Sequence, residues 1–188
     1  MIETRFYGLP FATEPGRVFT PRRTSEDLVA AAIDRIGERP ARVADVGTGS
    51  GAIAITLALR LPQVEVWASD FCGSALALAR RNADRLGAQV HLVHGDLLEG
   101  LPRDLDLIVA NLPYLAPGTP GYDDEPAAAV FSDDDGLGHY RRLIAGADHH
   151  LSPAGGVLIQ FQGQVLEAER SELPWLSNRL ESLVAAAA

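Results

Sequence analysis

A single cysteine, Cys72, in 188 residues excludes an internal disulfide and any metal site built from several thiolates. No apolar run approaches the roughly 18 residues that a membrane span needs. The opening MIETRFYGLP lacks the basic-then-apolar order of a secretory signal. Positive charge is also short: the formal net charge is −9. Phosphate backbones repel such a surface unless a basic patch assembles locally, and the pairs Arg22–Arg23, Arg80–Arg81 and Arg141–Arg142 are scattered. The expectation is a cytoplasmic protein with no membrane or nucleic-acid partner. No internal repeat and no trusted histidine spacing appears, so no metal site is expected.

What is present reads as one globular domain. Hydrophobic residues make up 47% and charged residues 22%, an ordinary balance for a chain that buries a core. Apolar strand-like runs at 42–46, 64–70, 90–96, 105–111 and 155–162 alternate with helix-like runs at 52–59, 74–86 and 138–151. That alternation predicts βαβ units, an α/β fold with a doubly wound, mostly parallel sheet flanked by helices. A capped helix is expected over 24–37, with Thr24 or Ser25 at its start. Residues 1–37 form a leading segment, 38–163 a cofactor-binding core and 164–188 a helical tail interrupted at Pro174. The loop over 115–137 holds Pro117, Pro120, Pro126 and a run of acids. A loop of that length in a compact domain reads as a lid.

DVGTGSGAIAI places Gly47, Gly49 and Gly51 directly after a strand and before a helix N-terminus, the geometry of a nucleotide site. The loose G-x-G-x-x-G/A pattern also admits a dinucleotide. Asp45 favours another cofactor. A carboxylate there opposes a pyrophosphate but suits the amino group and sulfonium of S-adenosylmethionine. Thr48 lies within the turn. Asp70, ending the second strand, is placed for ribose hydroxyls, and Asp96 with Leu97 for the adenine amino group. Phe71 can pack on the adenine face. Plainer readings remain: Asp45 as a helix cap, Phe71 as core, Asp96 as a turn residue.

The fourth strand delivers VANLPY to the same edge. A planar NH₂ group is a poor nucleophile, and two acceptors on its N–H bonds would orient it. The Asn111 side-chain oxygen is one and the Leu112 carbonyl the other. Pro113 stiffens the turn and adds no N–H; Tyr114 offers a flat wall. The chemistry is positioning and electrostatics without a covalent intermediate.

These segments together resemble the HemK/PrmC family of N5-glutamine methyltransferases. FTPRRTSEDLV is similar to its PRPETE-LV element, ADVGTGSGAIAI to its first motif, NLPY to NPPY, and DEPAAAVFSDDDGLGHYRRLI to its EP…DGL…YR run. The resemblance implies a Rossmann-like class I methyltransferase fold and S-adenosylmethionine as donor, with S-adenosylhomocysteine as product. It implies a release-factor glutamine as acceptor, and Pro21, Arg22, Ser25, Glu125 and Pro126 on the substrate side. The chain departs from the family in four ways. Most of the helical docking domain is missing, Leu112 replaces a proline, Gln160 replaces a carboxylate, and no strand pair is evident after the fifth strand. A sheet ending there would need its edge covered by the tail or another subunit. Alternatives that stay open are a base amine or small molecule as acceptor, an NAD oxidoreductase, and a non-catalytic binding module.

Overall fold

The computed structural model describes residues 2–115, 119, 122, 124–132 and 135–187. Pro117, Pro120, Asp123, Asp133 and Asp134 of the expected lid lie outside the described residues. In chain order the elements are β1 (Ile2–Phe6), β2 (Leu9–Thr13), α1 (Glu26–Ile36), β3 (Ala41–Val46), α2 (Ala52–Arg60), β4 (Val64–Asp70), α3 (Gly73–Leu86), β5 (His91–His94), β6 (Leu105–Ala110), α4 (Ala127–Val130), α5 (Gly138–Ala147), β7 (Leu151–Phe161), β8 (Gln164–Glu169) and α6 (Leu173–Ala187). The main sheet has the order β5-β4-β3-β6-β7-β8. Its neighbours run parallel except β7 and β8, which are antiparallel.

Alternation along the central strands divides the core in two. Val43, Val66, Leu107, Val109 and Leu158 face Leu28 and Val29 of α1, Ile55 and Leu57 of α2, and Ala83 of α3. Their chain neighbours Ala44, Ile108, Ala110, Val157 and Ile159 face Leu143 and Ile144 of α5 and Leu176 and Leu180 of α6. Both faces of β3 and β6 are therefore dry, which is why these strands read as continuous apolar runs. Each fully buried leucine or isoleucine contributes roughly 1.5–3 kcal/mol.

Two expectations are corrected. The chain after residue 163 is not all helix. Gln162 and Gly163 both hold positive φ, 48° and 76°, and form a two-residue turn of the type that suits a hairpin's twist. β8 then returns antiparallel along β7, from the Phe161–Gln164 pair to Gly156–Glu169. Leu166 and Ala168 point inward, while Glu167 and Glu169 hold the Arg35 guanidinium of α1. The sixth strand covers β7, so no bare five-strand edge exists and the argument for a covering subunit falls. Pro174 does not interrupt the tail. It is the second residue of α6, where a missing N–H costs nothing.

An N-terminal hairpin is present that the sequence reading did not expect. Tyr7 and Gly8, at φ 51° and 80°, make the same kind of turn between β1 and β2. The expected helix over 24–37 begins at Glu26 after a 3-10 turn at Arg23–Ser25. Ser25 occupies the cap position but makes no side-chain cap bond.

Tyr140 of α5 joins β6 to β7. Its buried hydroxyl accepts the Leu112 N–H at 3.1 Å and donates to the Gln160 carbonyl at 2.5 Å. Removing it strands both groups away from water. Tyr140→Phe should lower the unfolding free energy by about 1–3 kcal/mol, read as a reduced urea midpoint at unchanged slope. An unchanged midpoint would show that these backbone groups find other partners.

Candidate functional site

β3, β4 and β6 end at the same edge of the sheet, where the strand order reverses. In doubly wound sheets that is where ligands bind. A cavity of about 400 Å³ opens there, within the size range of a small-molecule site.

The glycine turn forms its floor. Gly47 and Thr48 both donate their N–H to the Ser69 carbonyl at 2.9 Å. Gly47 has φ 73°, and a Cβ on it would lie 2.7 Å from Leu112 Cδ2. Glycine is thus required there twice, by conformation and by the closeness of the Asn111 loop. Gly49 donates its N–H to Asp70 Oδ2 at 2.8 Å, and Cys72 donates to Asp70 Oδ1 at 2.9 Å. Each oxygen of Asp70 keeps a lone pair for a hydroxyl, so the donor set fits a vicinal diol. Burial raises the Asp70 carboxyl, while these two N–H groups pull it back down.

Asp45 does not stand in the cavity wall. It lies behind the turn, 1% exposed, with Oδ2 accepting the Thr48 hydroxyl at 2.6 Å and the Ala54 N–H at 3.1 Å. Its Oδ1 is buried without a partner. From there its carboxylate braces Thr48 and the start of α2. Part of the plainer reading also holds, since the Ala54 bond is a cap-like contact. Gly51 likewise starts α2 outside the wall.

Thr48, Phe71, Asp96 and Leu97 line the cavity. Phe71 is 58% exposed at the rim and is not core. Asp96 follows β5 in a turn and is ion-paired with Arg142, so its carboxylate already has a cation.

Asn111, Leu112, Pro113 and Tyr114 line the opposite wall. Asn111 Nδ2 donates to Ser25 Oγ at 2.9 Å, so its amide oxygen is not engaged by that bond. The Tyr140 hydroxyl is 3.2 Å from the Leu112 carbonyl, but its one proton goes to the nearer Gln160 carbonyl, leaving the Leu112 oxygen able to accept. The Tyr114 ring packs on Phe161, centroids 5.1 Å apart. On the remaining side, Pro21, Arg22 and Pro126 line the mouth. Arg22 lies 4.6 Å from the Tyr122 ring centroid and 5.3 Å from that of Phe19. Glu125 sits behind it, accepting the Thr20 N–H at 3.1 Å and lying 3.5 Å from Arg22 Nη2.

Sequence reasoning missed Phe19 and Tyr122, which carry no motif. It also missed the role of Gln160, whose Nε2 donates to the Thr24 carbonyl at 2.6 Å. Tyr140 was visible only as part of the YR run.

A glycine turn after β3, an acid ending β4 and a carboxamide after β6 thus meet at one edge of an α/β sheet. Residues 13–123 match the methyltransferase small domain model, and the chain belongs to that family. It is 42% identical over 178 residues to a release factor glutamine methyltransferase of Bordetella pertussis, covering 89% of this chain and 65% of that protein. The corresponding protein of Deinococcus radiodurans is 39% identical, covering 87% and 62%. The chain thus spans about three-fifths of the length of these relatives. Among solved structures, a ribosomal-protein methylase of Lactobacillus delbrueckii subsp. bulgaricus superposes at TM-score 0.59 with 26% identity, covering 90% of this chain and 72% of that one. A 16S rRNA methyltransferase of T. thermophilus, in complex with AdoMet and guanosine, gives 0.61 at 20% identity over 84% and 40%, a likeness of fold alone. The fold is the class I, Rossmann-like methyltransferase fold. Among the described residues no helix is long and apolar enough to cross a membrane.

Asp45 generates a prediction. Burial pushes its carboxyl up from 3.8 to about 6, against the Thr48 and Ala54 bonds that lower it. The native state therefore holds the proton longer than the unfolded one, and stability falls as pH rises from 3.8 through about 6. Complete ionisation costs roughly 3 kcal/mol, at about 1.4 kcal/mol per pKa unit. Asp45→Asn should lose this slope: urea melts from about pH 4 to about pH 7 should show wild type losing ground to the variant and then levelling. Equal slopes would mean that the charge is not buried.

Proposed function

We propose that the chain is an S-adenosylmethionine-dependent N-methyltransferase acting on a glutamine side-chain amide of a protein, a peptide-chain release factor in the cytoplasm, and releasing S-adenosylhomocysteine. The observation that carries this reading is the Asn111 carboxamide. Its nitrogen donates to Ser25, its side chain lines the cavity, and its loop touches the glycine turn through Leu112 and Gly47.

Bound S-adenosylmethionine supplies an electrophilic methyl group on a sulfonium. Asp70 receives the ribose hydroxyls through the lone pairs that Gly49 and Cys72 leave free. Gly47, Thr48, Gly49 and Leu97 would hold the nucleoside, and Phe71 at the rim would contact the adenine. Asp96, paired with Arg142, would take the adenine amino group. Asp45 and Gly51 act from behind, holding the turn and adding negative charge favourable to a cation.

Asn111 Oδ1 and the Leu112 carbonyl accept the two N–H bonds of the acceptor amide, fix its plane and push electron density toward nitrogen. Pro113 keeps the turn rigid. Tyr114 stacks on the amide. The proton leaves to water after attack, so no strong base is needed, and the rate gain is orientation and electrostatics. Pro21, Arg22, Glu125 and Pro126 form the collar through which a side chain enters. A nucleic-acid acceptor is disfavoured because the collar's cation is already neutralised by Glu125 and the chain carries net charge −9.

Asn111→Ala should reduce kcat about 10²–10³-fold on a purified release factor, with added methyl read by mass spectrometry, while the Kd for S-adenosylhomocysteine stays within about twofold. Retained turnover would exclude the amide grip. Thermal stabilisation by NAD in place of S-adenosylhomocysteine would overturn the donor.

A further inference from the structure

Asn82 of α3 is completely buried, behind the glycine turn and outside the cavity wall. Its Oδ1 accepts the Ala12 N–H at 2.9 Å. Its Nδ2 donates to the Ala12 carbonyl at 3.2 Å and to the Ser50 carbonyl at 2.9 Å. The two bonds to Ala12 complete the edge of β2 as a neighbouring strand would. The third reaches the glycine turn itself. Exchanging the amide's oxygen and nitrogen would set like groups against each other at all three partners, so its orientation is fixed.

A second contact reinforces the third bond. Ala79 lies one helical turn before Asn82, on the same face of α3. A Cβ on Gly51 would meet Ala79 Cβ at 3.1 Å and its Cα at 3.3 Å. α3 therefore seats two successive residues of the turn, Ser50 by a hydrogen bond and Gly51 by close packing. Ser50 directly follows Gly49, whose N–H aims Asp70. The N-terminal hairpin, the third helix and the turn are joined through one carboxamide.

We propose that Asn82 is a positioning residue for the methyl-donor site, coupling the hairpin at Ala12 to the glycine turn at Ser50. The inference rests on reading the cavity as that donor site. Asn82 touches neither donor nor acceptor; it acts by holding the Ser50 carbonyl, and through it the Gly49 N–H, in register with Asp70.

The test is the Kd of S-adenosylhomocysteine by calorimetry for the full chain and for Asn82→Asp across pH. A protonated carboxyl can still donate to Ser50, whereas a carboxylate faces that carbonyl with no proton. Burial raises the new carboxyl's pKa into the accessible range. The ratio of variant to wild-type Kd should lie near one at about pH 5 and reach about tenfold at about pH 8. A packing defect alone gives a ratio independent of pH, and a flat ratio in a variant folded by circular dichroism overturns the inference. The wild type supplies a second measurement that no folding defect can spoil. Hydrogen exchange at the Ala12 amide should slow when S-adenosylhomocysteine binds, although Ala12 is outside the cavity wall; unchanged exchange overturns the coupling. Absence of binding to the wild type would instead sink the donor-site reading, and this inference with it.

Discussion

The register between β3 and β6 is the constraint from which the site follows. Val46 pairs with Ala110, so the two strands leave the sheet level with each other at a separation of about 4.8 Å. Gly47 and Asn111 are the next residues on each chain, and the glycine turn has no choice but to meet the carboxamide loop. That register is not free to drift. Val43 and Leu107 belong to one core, and Ala44 and Ile108 to the other. A slip of one residue would turn every side chain to the opposite face. The packing of two cores thus fixes, at no further cost, the placement of the glycine turn against the Asn111 carboxamide.

Electrostatics adds a second layer to that geometry. Two carboxyls, Asp45 and Asp70, are raised by burial, and both are aimed by hydrogen bonds from the same turn. Asp70 faces the cavity; Asp45 stands behind it with an orphaned Oδ1. Such an arrangement is costly in the empty protein, because an ionised group in a dry environment lacks compensation. A cationic ligand near the turn relieves part of that cost, which is the reverse of what a pyrophosphate would do. Buried charge thus bears on which ligands the turn favours as much as direct contact does.

Legibility in the sequence followed physical signal strength. The central strands carry uninterrupted apolar runs because both their faces are covered, and their bounds were readable to within a few residues. Gly47, Asp70 and Asn111 were readable because each sits where a strand must end. The two hairpins were not. Both turn on a residue followed by glycine, Tyr7-Gly8 and Gln162-Gly163, without the asparagine or aspartate that normally marks such turns. β8 in addition alternates glutamates with Leu166 and Ala168, a pattern with helical propensity that tertiary contact overrides: Arg35 holds Glu167 and Glu169 on the face the strand exposes. Ser25 misled for a related reason. It has the chemistry of a helix cap, yet its hydroxyl is drawn instead to Asn111 across 86 residues of sequence, which no local pattern can announce.

Leu112 shows how a departure from a motif is absorbed. A proline at this place brings no N–H, whereas leucine brings one into a region without water. Tyr140 takes it: the hydroxyl accepts from the Leu112 N–H and donates its own hydrogen bond to the Gln160 carbonyl of β7. Burial also pushes the phenol further up, so the hydroxyl stays protonated. The leucine side chain in turn fills the space that Gly47 leaves by having no Cβ. What proline would achieve by a locked φ is achieved here by a side chain wedged against the glycine turn and a hydroxyl gripping the backbone. The Leu112 carbonyl keeps its capacity to accept, because the one proton of Tyr140 is already committed to Gln160.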